Sequence, residues 1–199
     1  MACRLLIFSD IHEDTRALER LMATPADYYI AAGDLAHFGR GLERCGEIMR
    51  PAGERVWVLP GNHESAQQIA AFCARFGFSD FHGRSFQAAG RHIAGLGYSN
   101  PTPFNTPGEY SEAELADRLA VFATLQPAVL VCHCPPRDTV LDRVRPGLHA
   151  GSTAVGDFLR AHPPTWFFCG HIHEAAGLEV RLGHTRAVNV GKQGYLLEL

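Results

Sequence analysis

An α/β fold with parallel strands is the class this 199-residue chain predicts, and three observations carry that reading. Strand-like and helix-like patterns alternate through the first half. Five short apolar runs each end in residues that bind metals. Three more strand patterns close the chain. The runs are Leu5-Leu6-Ile7-Phe8 before Asp10 and His12, residues 28–32 before Gly33-Asp34, and Val56-Trp57-Val58-Leu59 before Gly61-Asn62-His63-Glu64. Val129-Leu130-Val131 precedes His133, and Trp166-Phe167-Phe168 precedes Gly170-His171 and His173. Each has the length and β-branched or aromatic content of a buried strand.

Taken in order, a strand at 3–9 leads to a helix at 14–23, where Leu18, Leu21 and Met22 sit at helical spacing. A strand at 27–32 leads to a helix at 41–49. A strand at 55–59 leads to a helix at 65–75, with Ile69, Phe72, Cys73 and Phe76 on one face. This order implies parallel strands joined by right-handed crossovers. Two short strands, 84–88 and 91–96, turn at Ala89-Gly90. A loop with three prolines spans 98–110. Ser111 then caps a helix to about 125, with Glu114 completing a capping box. A strand at 128–132, a loop at 135–151, a helix at 152–161 and a strand at 165–169 follow. Residues 178–182, 185–190 and 194–199 read as a three-stranded meander. No linker interrupts the pattern, so one domain over 1–199 is expected.

Apolar content of 46% and charged content of 20% are ordinary for a soluble globular protein. The formal charge is −3 and no basic run is present, which argues against general nucleic-acid binding. No stretch is long enough to span a bilayer, and Met1–Phe8 leads straight into a strand, leaving no room for a signal peptide. The six cysteines are scattered in apolar runs and read as buried free thiols, which fits a reducing cytoplasm. Cys132 and Cys134 flank His133, but on a strand they face away from whatever His133 binds.

In α/β sheets, ligands collect beyond the carboxyl ends of strands. Asp10, His12, Asp34, Asn62, His133, His171 and His173 are therefore expected to converge at one end of one sheet. Carboxylate, amide and imidazole together suit borderline divalent metals, and the lack of thiolate argues against a structural zinc cage. Seven donors exceed the needs of one ion. Two divalent ions are expected, manganese first, with iron, zinc, cobalt or nickel as alternatives. Asp34 is the natural bridge, because one carboxylate can offer an oxygen to each ion. Such a pair can share a hydroxide and clamp the oxygens of an in-line displacement at phosphorus. His63, on the same loop as Asn62, can then act as a general acid or bind the phosphoryl oxygens.

The motifs Asp10-Ile11-His12, Gly33-Asp34, Gly61-Asn62-His63-Glu64, His133 and Gly170-His171-Ile172-His173, in that order, resemble the calcineurin-like metallophosphoesterase superfamily. The resemblance implies a four-layer α-β-β-α sandwich with two mixed β-sheets packed face to face. It also implies that Asp10, His12, Asp34 and His173 hold one metal, and Asp34, Asn62, His133 and His171 the other. The chain departs from the family's usual Gly-His at Cys132-His133, keeping the ligand. The segments His133-Cys-Pro-Pro, His149-Ala-Gly-Ser152 and Asn189-Val-Gly191 resemble small, cap-less phosphoesterases of the Icc-related group.

The resulting expectation is a metal-dependent phosphoesterase acting on a small phosphoester, with diesters favoured because a cap-less site admits two substituents. The alternatives are a phosphomonoesterase, protein phosphatases included, and a non-catalytic scaffold like the interaction subunit of the retromer coat. Glu64 reads as a carboxylate at the start of the helix near Ser65, His37 as an ordinary loop histidine, and Asn189 as a strand-end turn residue. His82, His92, His162 and His184 read as surface or strand residues. Substrate contact stays open for His149 and for the 98–110 loop, as does a hydrogen-bonding role for Glu174 behind a metal-bound imidazole.

Overall fold

Side chains at successive strand positions face opposite ways, and most central strands here are apolar on both faces. The computed structural model describes residues 2–199. In chain order its elements are β1 (Arg4–Phe8), α1 (Thr15–Met22), β2 (Tyr28–Ala32), α2 (Leu42–Met49), β3 (Val56–Leu59), α3 (Ala66–Phe76), β4 (Ser79–Asp80), β5 (Arg84–Ala88) and β6 (Arg91–Leu96). There follow α4 (Glu112–Ala123), β7 (Val129–Cys132), β8 (Arg143–Arg145), β9 (Leu148–His149), α5 (Thr153–Ala161), β10 (Trp166–Cys169), β11 (Glu179–Leu182), β12 (Thr185–Asn189) and β13 (Tyr195–Glu198). Short 3-10 turns occupy residues 50–55, 140–142, 173–175 and 191–193.

Leu6 and Phe8 of β1, Ala31 of β2 and Val56 and Val58 of β3 pack under Leu18, Leu21, Met49 and Phe72 from α1, α2 and α3. Their alternates Leu5, Ile7, Ile30 and Leu59 meet Ile93, Val129, Val131 and Phe168 of the facing sheet. The other face of that sheet, with Ala94, Leu130 and Phe167, packs under Leu119, Phe122, Val155 and Phe158 from α4 and α5. Three apolar layers therefore separate four layers of structure, helices outside and two sheets within. Cys132 and Cys169 belong to the outer, helix-side layer, and all six cysteines are free thiols.

The first sheet runs β13-β1-β2-β3-β4 and the second β11-β12-β10-β7-β6-β5. The strands β1, β2 and β3 are parallel, as are β6, β7, β10 and β12, while β13, β11 and β5 join antiparallel. Both sheets are mixed, as the family resemblance implies. The C-terminal meander is corrected: β11 and β12 pair, but β13 crosses to the other sheet and pairs with β1, Leu5 opposite Leu197. Its alternating side chains explain the choice, since Leu197 enters the layer between the sheets. The loop expected at 135–151 carries the β8–β9 hairpin.

The helix starts follow local chemistry. Asp14 Oδ1 accepts the Ala17 N–H at 3.0 Å. Ser65 with Gln68, and Ser111 with Glu114, form full capping boxes. Among the described residues no helix is long and apolar enough to cross a membrane.

Candidate metal centre

The seven expected donors sit just past the carboxyl ends of β1, β2 and β3 in one sheet and of β7 and β10 in the other. The site thus lies across two facing sheets rather than at the end of one. The chain bends sharply to aim these side chains. Asp10, His12, Asp34 and His171 all adopt positive φ, between 45° and 69°. Such backbone costs about 1–3 kcal/mol per residue and persists only where surroundings enforce it. Enforcement is visible in the backbone: the Asp10 N–H donates to Gly33 O at 3.1 Å and the His12 N–H to Asp34 O at 3.0 Å. A Cβ at Gly61 would overlap the Asp34 carboxylate, so the β3 loop can approach only as glycine.

Two groups of donors result, Asp10 with His12 and His173, and Asp34 with His133 and His171. Asp34 links them. Its Oδ2 lies 3.6 Å from His12 Nε2 and 3.4 Å from His133 Nε2, while its Oδ1 accepts the His63 N–H at 3.0 Å. His12 Nε2 and His173 Nε2 face each other at 3.0 Å, and His173 Nε2 is 3.6 Å from Asp10 Oδ1. Asp10 is also fixed by the His171 N–H, at 3.0 and 3.1 Å from its two oxygens.

The donor set fits cations. His133 Nδ1 donates to Ala32 O at 2.9 Å, which leaves Nε2 of the neutral ring a bare lone pair. That lone pair points at Asn62 Oδ1, 3.2 Å away, and at Asp34. His171 Nδ1 also points at Asn62 Oδ1, at 2.8 Å. The amide is not free to flip, because Asn62 Nδ2 donates to Thr106 Oγ1 at 3.2 Å. With His133 neutral and the His171 hydrogen on Nε2, acceptors converge on acceptors here. Either protons must be taken up or divalent ions must sit among them, and carboxylate, amide oxygen and imidazole are the donors such ions take.

The electrostatics agree. Burial works against the Asp34 carboxylate, yet the His133 and His12 imidazoles hold it well below the usual range. Burial opposes a charge on His133 too, but Asp34 overrides it and raises the ring to about 9, so without an ion His133 takes up a proton on Nε2, the place a cation would fill. Burial lowers His12 and His171 to about 4, leaving lone pairs available for metal at neutral pH. Burial also lowers His63, whereas a hydrogen bond with Asp10 raises His173.

A family model of calcineurin-like phosphoesterases matches residues 3–175. The chain belongs to the calcineurin-like phosphoesterase family. Members of this family are typically binuclear metal hydrolases. One relative, the uncharacterized protein MJ1162 of Methanocaldococcus jannaschii, is 29% identical over 200 residues, covering 98% of this chain and 90% of its own. TT1561 of Thermus thermophilus superposes with a TM-score of 0.74 at 19% identity, over 96% of this chain and 90% of that one. The phosphopantetheinyl hydrolase PptH of Mycobacterium tuberculosis superposes with a TM-score of 0.65 at 18% identity, over 94% and 88%. At such identities these two structures speak for the family's fold alone.

Other residues differ from expectation. Glu64 does not serve a helix start; it is fully buried and accepts N–H bonds from Asp34 at 3.1 Å, Ala36 at 2.9 Å and Gly61 at 3.0 Å. It ties the β2 and β3 loops of the family site together. Asn189 is no plain turn residue; buried at the end of β12, its Nδ2 donates to Gly170 O at 3.1 Å and Ile172 O at 2.9 Å. His37 stacks on His12 with ring centroids 4.4 Å apart and groups with His12 and His63. His82 is half-buried, accepting the Gly97 N–H at Nδ1 and meeting the Tyr110 hydroxyl at Nε2, both at 3.0 Å. Glu174 is exposed. The 98–110 loop supplies Thr106 and, with Pro101 and Phe104, one wall of a cavity of about 580 Å³ beside Asp34, Asn62 and His63. Nothing in the spacing of Thr106 marks it; only its place in a loop too long to be a simple connector draws the eye.

Proposed function

We propose that the chain is a binuclear metal-dependent phosphoesterase that acts on phosphodiesters. Asp10, His12, Asp34 and His173 hold one divalent ion and Asp34, Asn62, His133 and His171 the other, with manganese the first candidate. The observation that carries this reading is the convergence of acceptor atoms around Asp34, with its Oδ2 within 3.6 Å of a histidine from each group. Two adjacent divalent cations supply Lewis acidity at phosphorus and a nucleophile available at neutral pH.

The chain's own groups do the rest. Glu64 and Thr106 fix the loops and the Asn62 amide, so the donors stand ready before substrate arrives. His63 is held by its backbone bond to Asp34 and flanked by the Phe38 ring at 4.9 Å. From the cavity wall it donates a proton or a hydrogen bond to the departing ester oxygen. The cavity has room for a second substituent on phosphorus, which favours diesters.

The test is parallel hydrolysis of bis(4-nitrophenyl) phosphate and 4-nitrophenyl phosphate by manganese-reconstituted protein. The diester should turn over faster; the reverse would make the protein a monoesterase, and hydrolysis of neither would end the hydrolase assignment. His63→Ala should keep both ions and lose roughly 10²-fold or more in kcat, whereas Asp34→Asn should lose metal. Wild-type turnover by His63→Ala would remove His63 from its role.

A further inference from the structure

A buried carboxylate that the site above does not use stands behind the same cavity. Asp142 is fully buried. Its Oδ1 accepts the Thr139 N–H at 2.9 Å and its Oδ2 accepts the N–H groups of Asp138 at 3.2 Å and Gly151 at 3.0 Å. A fourth donor reaches it from a side chain: His149 Nδ1 lies 2.7 Å from Oδ1. Three of these partners are backbone N–H donors, and an ionised carboxylate can only accept, so with Asp142 ionised His149 carries its hydrogen on Nδ1.

The geometry is enforced. A Cβ on Gly151 would stand 2.6 Å from Pro135 O and 2.7 Å from Asp142 Cβ, so only glycine lets the strand end fold back over the carboxylate. His149 pairs across the β8–β9 hairpin with Arg143. Its side chain is 27% exposed. It lines the cavity that also holds His63, Asn62, His171 and His173. Among the described residues no hydrogen bond uses its Nε2. The three backbone donors alone would suffice to pin the loop. The imidazole adds an oriented ring with one nitrogen committed and the other free in the wall.

We propose that His149 contacts the substrate, its Nε2 hydrogen-bonding a non-bridging oxygen of the bound phosphoester, with Asp142 as its positioning residue. This rests on the phosphoesterase reading. A phosphoester seated there would set the ring between two anionic acceptors, itself and the Asp142 carboxylate, and charge-assisted hydrogen bonds are the strong ones. The arrangement puts a specificity-determining contact on the β8–β9 hairpin, which lies between β7 and α5 in the chain.

The experiment compares manganese-loaded wild type, His149→Ala, His149→Gln and Asp142→Asn. Calorimetry reads the affinity for inorganic phosphate, steady-state kinetics read bis(4-nitrophenyl) phosphate, and mass spectrometry reads bound manganese. His149→Ala should weaken phosphate binding and raise KM about tenfold or more, with a smaller change in kcat and manganese content equal to wild type. His149→Gln, which keeps a donor, should recover part of the loss, and Asp142→Asn should behave like His149→Ala. If Asp142→Asn fails to fold, the alanine and glutamine pair still decides. Equal phosphate affinity in wild type and His149→Ala, including none in either, overturns the proposal. An active wild type with an unchanged His149→Ala sinks this contact alone. A wild type inactive on every ester sinks the phosphoesterase reading, while the phosphate titration still judges His149.

Discussion

Glu64 follows two residues expected to do chemistry, and in sequence it looks like an acidic residue placed at a helix start. Its three accepted N–H bonds instead make it the brace between two metal-site loops. Burial and the Asp34 carboxylate push its carboxyl up, against the pull of the backbone donors of Ala36 and Gly61 toward the charged form. Glu64→Ala would strand three N–H groups in the interior, and we expect a loss of about 3 kcal/mol or more. Urea unfolding reads it directly, and an unchanged midpoint would refute the bracing role. His82 offers a second test. Its Nδ1 accepts the Gly97 N–H, so the ring must be neutral there, and burial lowers it from 6.5 to about 4. Between those values the unfolded chain binds a proton that the folded chain refuses. Stability from this source is intact above pH 6.5 and falls as pH drops toward 4. At pH 5 the loss is about 2 kcal/mol. Wild type should lose that much more than His82→Gln between pH 7.5 and pH 5 in urea titrations, and equal losses would contradict it.

Along single elements, what the sequence reveals is what depends on neighbours in the chain. Ser111 and Glu114 announce a helix because the capping box is closed within one turn. The runs at β1, β2, β3, β7 and β10 announce strands because buried parallel strands are apolar on both faces. Partner choice is not local. Residues 194–199 read as a strand from their own alternation, but nothing in them says that β1, near the other end of the chain, is the neighbour. The same holds at the end of β12, where Asn189 reaches back to the loop carrying His171 and His173. Asn189→Ala should free that loop and weaken manganese binding on the order of tenfold, seen by calorimetry with the fold intact by circular dichroism. Unchanged affinity would mean that the loop holds itself.

For the whole molecule, the gathering of the seven candidate donor side chains was legible because each follows a strand, and parallel strands present their ends together. That they meet across two sheets departs from the one-sheet convergence expected, because which sheet a strand joins is not written in the periodicity of any segment. The supporting residues Glu64, Thr106 and Asn189 were hidden, since each acts on a stretch distant in the chain, and Asp142 was hidden because the hairpin that folds over it was read as plain loop. Architecture and chemistry join at one point: facing sheets bring Asp34 between His12 and His133. Anomalous diffraction from crystals soaked in manganese tests that junction most directly. The account predicts two peaks per chain about 3.5–4 Å apart, with Asp34 between them, one beside His12 and His173 and the other beside Asn62, His133 and His171. A lone peak, or a pair remote from Asp34, would contradict it.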